Sequence, residues 1–92
     1  MAARSVPAPG PVRWEVRVEL KPGVLDAEAE SIAKSLALLG IPQVRRVSTA
    51  RIYDLEFENV DPKEAERLTH DAVDRLLANP VIHHVTVRPR PD

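Results

Sequence analysis

Three histidines and a group of arginines are the side chains of this sequence that could do chemistry. Imidazole titrates near neutrality and ligates zinc or copper, so the adjacent pair His83-His84 is the first candidate for a metal or acid-base site. The pair sits in "VIHHVTV", a strand-like run, where neighbouring side chains point to opposite faces and cannot close on one ion. The third histidine, His70, falls in a helical stretch with only Asp74 at a helical spacing from it, short of a ligand set. The plain reading puts His83 at a sheet margin near Val81 and Val85 and His84 on an open face, and a contact surface is the intermediate option. Arg45, Arg46 and Arg51 carry forked donors suited to a carboxylate or phosphate. A solvated strand edge explains the same arginines first, and the docking of a partner second, ahead of an anion pocket. Only three glycines are present, none spaced as a phosphate-cradling GxxxxGK or GxGxxG loop. The carboxylate pairs Glu56/Glu58 and Asp71/Asp74 alternate with apolar residues, as solvated faces do. With no cysteine and no serine in a GxSxG-like turn, no nucleophile stands out.

Composition narrows the classes further. The chain has 92 residues, 43% of them hydrophobic, but only one Trp, one Tyr and one Phe, so a core must come from Val, Leu, Ile and Ala. Such a core is thin for its surface, and without cysteine there is no disulfide or thiolate-metal staple. Oligomerisation is the expected extra source of stability. Thirteen basic against fourteen acidic residues give no broad positive field, which argues against nucleic acid and membrane surfaces as partners. No segment approaches the roughly 20 apolar residues of a membrane span, and no signal-peptide pattern opens the chain, so a cytoplasmic location is expected.

The elements that must position these residues are legible from periodicity. Residues 1–11 are proline-rich without a pattern and read as a flexible N-terminal tail, residues 12–88 as a single domain, and residues 89–92 as a C-terminal tail. "VRWEVRVEL" alternates strictly, with Val12, Trp14, Val16, Val18 and Leu20 on one side, and predicts a half-buried strand. Asp26 can cap a helix with Glu28 and Glu30 in its first turn, an apolar stripe of Ala29, Ile32, Ala33, Leu36 and Ala37 or Leu39, and Gly40 with Pro42 as its stop. Period two returns over 43–59, read as a hairpin of two strands with a break near Ser48-Thr49-Ala50. Asp61, Pro62 and Glu64 form a cap, first-turn proline and capping-box acid. The helix they start has the stripe Ala65, Leu68, Ala72, Val73, Leu76 and Leu77, and Asn79-Pro80 ends it before a last strand, 81–88. The order β-α-β-β-α-β predicts an α+β, ferredoxin-like fold: a four-stranded antiparallel sheet with two helices on one face. The open face would carry Arg13, Glu15, Arg17, Glu19, Asp54, Glu56 and Ile52. RNA-binding sheets of this topology expose aromatics, whereas Trp14, Tyr53 and Phe57 fall on apolar faces.

The stretches "LKPGVLDAEAESIAKSLALLG", "VRRVSTARIYDLEFE" and "RLLANPVIHHVTV" resemble, in order and spacing, the PurS family, small subunits of phosphoribosylformylglycinamidine (FGAM) synthase. The resemblance spans about residues 13–88. Its most specific pieces are Lys21 with Gly23-Val24-Leu25-Asp26, Val44-Arg45 with Val47, and Leu76 to Ile82. This chain has Ala50-Arg51 where the family commonly has Gly-Lys, and His83 where it commonly has an acidic residue. The resemblance implies a step of purine biosynthesis in which formylglycinamide ribonucleotide, glutamine and ATP become FGAM, glutamate, ADP and phosphate. It implies a non-catalytic subunit that pairs with itself as a dimer or tetramer and bridges a PurQ-type glutaminase to a PurL-type synthetase so that ammonia can pass. ATP, Mg and glutamine would be used by those partners, with no cofactor, metal or catalytic residue in this subunit. Arg45, Arg46, Arg51, His83 and His84 are then docking candidates. Two rivals on the same topology are a small-molecule-binding regulatory domain and an acylphosphatase-like enzyme, the latter disfavoured because "LKPGVLD" offers one glycine to cradle a phosphate.

Overall fold

The computed structural model describes residues 11–90; the tail read over 1–11 lies, but for Pro11, outside the described residues, as do Pro91 and Asp92. β1 (Val12–Leu20) is the middle strand of an antiparallel sheet of order β2-β1-β3, flanked by β2 (Ala50–Phe57) and β3 (His83–Arg90). Its alternation works as expected: Trp14, Val16 and Val18 are buried, while Arg13 and Arg17 are exposed. Val16 lies opposite Tyr53 on one side and Val87 on the other, so apolar residues of three strands share one face. β3 runs on through Pro89 and Arg90. A proline is tolerated there because β3 is an edge strand, where a missing N–H need not cost a ladder hydrogen bond.

α1 (Ala27–Leu38) starts where Asp26 accepts from the Ala29 backbone N–H at 2.9 Å. It ends at Gly40, whose φ of +90° suits glycine, with the Ile41 N–H returning to the Leu36 carbonyl at 2.9 Å. α2 (Pro62–Ala72) has Asp61 as its cap, accepting from the Glu64 N–H at 2.8 Å, and Pro62 in its first turn. It continues into one π-helical turn, Val73–Leu77. α2 lies on the apolar face of the sheet and buries Ala65, Thr69 and then Val73 against it. Val16, Val18 and Val73 form the buried centre, with Tyr53, Leu55, Leu77, Ala78, Val85 and Val87 packed around them. Each fully buried valine contributes roughly 1.5 kcal/mol or more.

Three expectations are corrected. Among the described residues the sheet has three strands, not four. Residues 44–49 form no regular secondary structure, because nothing in Ser48-Thr49-Ala50 supplies the positive-φ residues of a tight hairpin and the segment does not fold back onto β2. Second, the apolar stripe of α1 is only partly covered: Ala29 is buried, Ala33 and Leu36 are half-buried, Ile32 is exposed and Leu39 is 75% exposed. The helix leaves the sheet after its first turn, and the described residues extend 63 × 30 × 13 Å with a radius of gyration of 18.8 Å. A compact chain of this length would have about 12 Å. Third, Leu76 was expected inside and is 82% exposed, since the wider π turn rotates it off the stripe that Val73 and Leu77 keep.

Candidate docking site

β1 ends, β2 begins and β3 begins at one end of the sheet, so the loops that carry most of the candidate residues meet there. The first is the β1–α1 turn. Gly23 takes a φ of +88° and the Val24 N–H returns to the Lys21 carbonyl at 3.1 Å, which carries the chain from the strand to the Asp26 cap. The second is the α2–β3 loop. Asn79 organises it: its side-chain oxygen accepts from Val81 N–H at 2.9 Å, and its carbonyl accepts from Ile82 and His83 N–H at 3.1 and 2.8 Å. The imidazole of His83 closes the knot by accepting the Asn79 N–H on Nδ1 at 2.8 Å. Lys21 ties the two loops together, with Nζ donating to the Pro80 carbonyl at 2.7 Å and its backbone N–H to the Ile82 carbonyl at 2.8 Å.

The third piece is the crossover from α1 to β2. Thr49 Oγ1 donates to Asp26 Oδ2 at 2.7 Å, so the carboxylate that starts α1 also anchors the segment entering β2. That hydroxyl, then the Ala29 N–H, hold the Asp26 carboxyl below the usual carboxylate range. These bonds stiffen the scaffold while leaving Leu25 (69%) and Val81 (76%) exposed on it. Apolar side chains on rigid loops lose little freedom when a partner covers them.

The five sequence-level candidates are divided by this end. Arg45 and Arg46 are exposed in the irregular crossover. Arg46 and His84 share an open cleft of about 720 Å³ with Lys21, Asp26 and Thr49. Arg51 and His83 share a smaller one of about 230 Å³ with Val18 and Glu28. His83 pairs with Leu20 on the helix-side face and His84 with Glu19 on the open face, so the two rings are separated by the sheet as the strand geometry requires. Among the described residues no group of three or more His, Asp or Glu side chains converges as metal ligands. The positioning roles of Lys21, Thr49 and Asn79 were not foreseen from the residues. Asn79-Pro80 carried a turn signal that could have suggested one of them; the other two depend on contacts 59 and 23 residues away.

The class defined by this geometry is a small α+β domain that, among its described residues, leaves part of a helix stripe and the 44–49 crossover uncovered and presents apolar side chains on hydrogen-bonded loops. The family model for PurS, described as phosphoribosylformylglycinamidine (FGAM) synthase, matches residues 13–90. Similar proteins include the FGAM synthase subunit PurS of Archaeoglobus fulgidus, 41% identical over 79% of this chain and 91% of its own. That of Methanothermobacter thermautotrophicus is 40% identical over 79% and 86%. The crystal structure of Methanocaldococcus jannaschii PurS superposes with a TM-score of 0.76 at 30% identity, covering 86% of this chain and 95% of that one. The chain belongs to the PurS family.

Proposed function

We propose that this chain is the small, non-catalytic subunit of FGAM synthase in purine biosynthesis, pairing with itself and joining a PurQ-type glutaminase to a PurL-type, ATP-dependent synthetase. The observation that carries this reading is incompleteness. Among the described residues, most of the α1 stripe, residues 44–49 and the outer edge of β2 are left uncovered in a chain whose thin core gives it every reason to bury more surface. The four-stranded ferredoxin-like sheet is completed when 44–49 of one copy lies along β2 of another, which puts one of the adjacent Arg45 and Arg46 on the open face that carries Asp54 and Glu56. The M. jannaschii protein is described as one of the subunits of formylglycinamide ribonucleotide amidotransferase in the purine biosynthetic pathway. In the same role this chain acts by organisation: holding two active subunits together raises the ammonia concentration at its acceptor. ATP, Mg and glutamine belong to the partners, the complex works in the cytoplasm, and the rigid loop end with Arg45, Arg46, Arg51, His83 and His84 is its docking region.

The test is FGAM formation by the matching synthetase and glutaminase, with and without this chain. It should be required with glutamine and dispensable with free ammonia. Equal glutamine-driven rates without it would reject the bridging role and favour a regulatory domain, recognised by ligand-induced stabilisation of the chain alone.

A further inference from the structure

The ring of His83 is half-buried at the start of β3 and, among the described residues, makes one hydrogen bond, in which Nδ1 accepts the Asn79 N–H at 2.8 Å. The donor is a backbone amide, which has a proton to give and no lone pair to offer in return. The bond therefore exists only while Nδ1 keeps its own lone pair, that is, while the ring is neutral. A protonated imidazole carries N–H groups on both nitrogens, and its Nδ1–H would meet the Asn79 N–H head on. A histidine that donates to a carbonyl or carboxylate is tightened by a proton; this one is released by it.

We propose that His83 is a proton-operated latch on residues 79–82: the neutral ring holds the loop closed on β3, and the protonated ring lets it go. Asn79 is held to His83 at two points, by the His83 N–H on its carbonyl at 2.8 Å and by its own N–H on the ring. Loss of the second leaves a single-point hinge. The loop presents Val81, 76% exposed, so the latch sets how firmly that apolar side chain is offered to a partner. As regulation of the docking region this rests on the bridging reading above; the response of the loop to a proton does not. Charged groups face the ring from every element around it. Glu19 of β1, Glu28 of α1 and Arg51 of β2 line one cleft with it. His70 and Asp74 of α2 and His84 of β3 line another. Lys21, at the end of β1, is spent on the Pro80 carbonyl at 2.7 Å. Three carboxylates stand in these two clefts, so a protonated ring that leaves Asn79 has a counter-charge to turn to.

The test is nitrogen-15 NMR of the full chain between about pH 5 and 8, the interval in which imidazole changes charge. As pH falls, the Asn79 amide proton should move upfield and the heteronuclear NOE of residues 79–82 should drop, both along the titration curve of the His83 ring nitrogens. His83→Asn, whose side-chain oxygen can accept near the place of Nδ1 at every pH, should show neither change. His83→Asp should move both to the acid side, towards the carboxylate range near about 4. His70→Gln with His84→Gln removes the other imidazoles and should leave both curves in place. Association of the chain with the matching glutaminase and synthetase should weaken over the same interval relative to His83→Asn, a ratio from which the partners' own titrations cancel. A loop that stays ordered while His83 titrates, one that loosens equally in His83→Asn, or a transition that vanishes with His70 and His84 overturns the latch and leaves the bridging role standing. Equal pH dependence of association in the wild type and His83→Asn overturns its part in docking. No association at any pH overturns the bridging role, while a loop that follows His83 still supports the latch.

Discussion

Thr49 and Asp26, 23 residues apart, share one hydrogen bond of 2.7 Å that joins the start of α1 to the start of β2. Asp26 spends its other oxygen on the Ala29 N–H. One carboxylate thus fixes where the helix leaves the sheet and where the chain returns.

This bond gives a pH signature. The Thr49 hydroxyl, and after it the Ala29 N–H, lower the folded-state pKa of Asp26. A lowered pKa contributes stability above the unfolded value of about 3.9, lost as pH falls through the folded value. Thr49→Val should raise the Asp26 titration point and bring acid destabilisation to higher pH. Carboxylate NMR titration with urea unfolding between about pH 2 and 5 reads both. An unchanged Asp26 titration would show that the bond does not form.

Lys21→Met removes the Nζ bond to the Pro80 carbonyl while keeping the backbone bond to Ile82. The loss expected is about 1 kcal/mol in urea unfolding. Faster amide exchange should be confined to Asn79–His83, and a uniform increase across the sheet would contradict the clamp.

His83 accepts the Asn79 N–H on Nδ1, which places its own proton on Nε2 in the neutral ring. Nitrogen-15 shifts of the imidazole at neutral pH should report that tautomer for His83. The Nδ1–H tautomer would rule out the bond.

Leu76 and Leu77 separate a π turn from a continuous α-helix. Leu76→Ala should change stability by less than about 0.5 kcal/mol, whereas Leu77→Ala, in the packed cluster, should cost about 2 kcal/mol. Equal costs would place both on one α-helical stripe.

Much of the architecture was legible in the residues because it depends on neighbours within a few positions. The alternation of Val12 to Leu20 fixed which side of β1 is buried, and the same alternation put Asp54 and Glu56 on the open face. Asp26 and Asp61 announced their helices by cap chemistry, and Gly40 its stop. His83 and His84 had to part company across the sheet, because adjacent strand residues always do.

Periodicity, however, names an apolar stripe without naming what covers it. The stripe of α1 is present as expected, yet only Ala29 of it is fully buried. Likewise 44–49 has strand-like composition but finds no strand beside it among the described residues, and Leu76 leaves its stripe because one π turn changes the angle. The knot of Lys21, Asn79 and His83 joins residues up to 62 apart in sequence. By itself, then, the sequence determined caps and faces. Tertiary structure decided which surfaces meet, because that depends on where a helix points after it leaves the sheet, and no local pattern encodes such a direction.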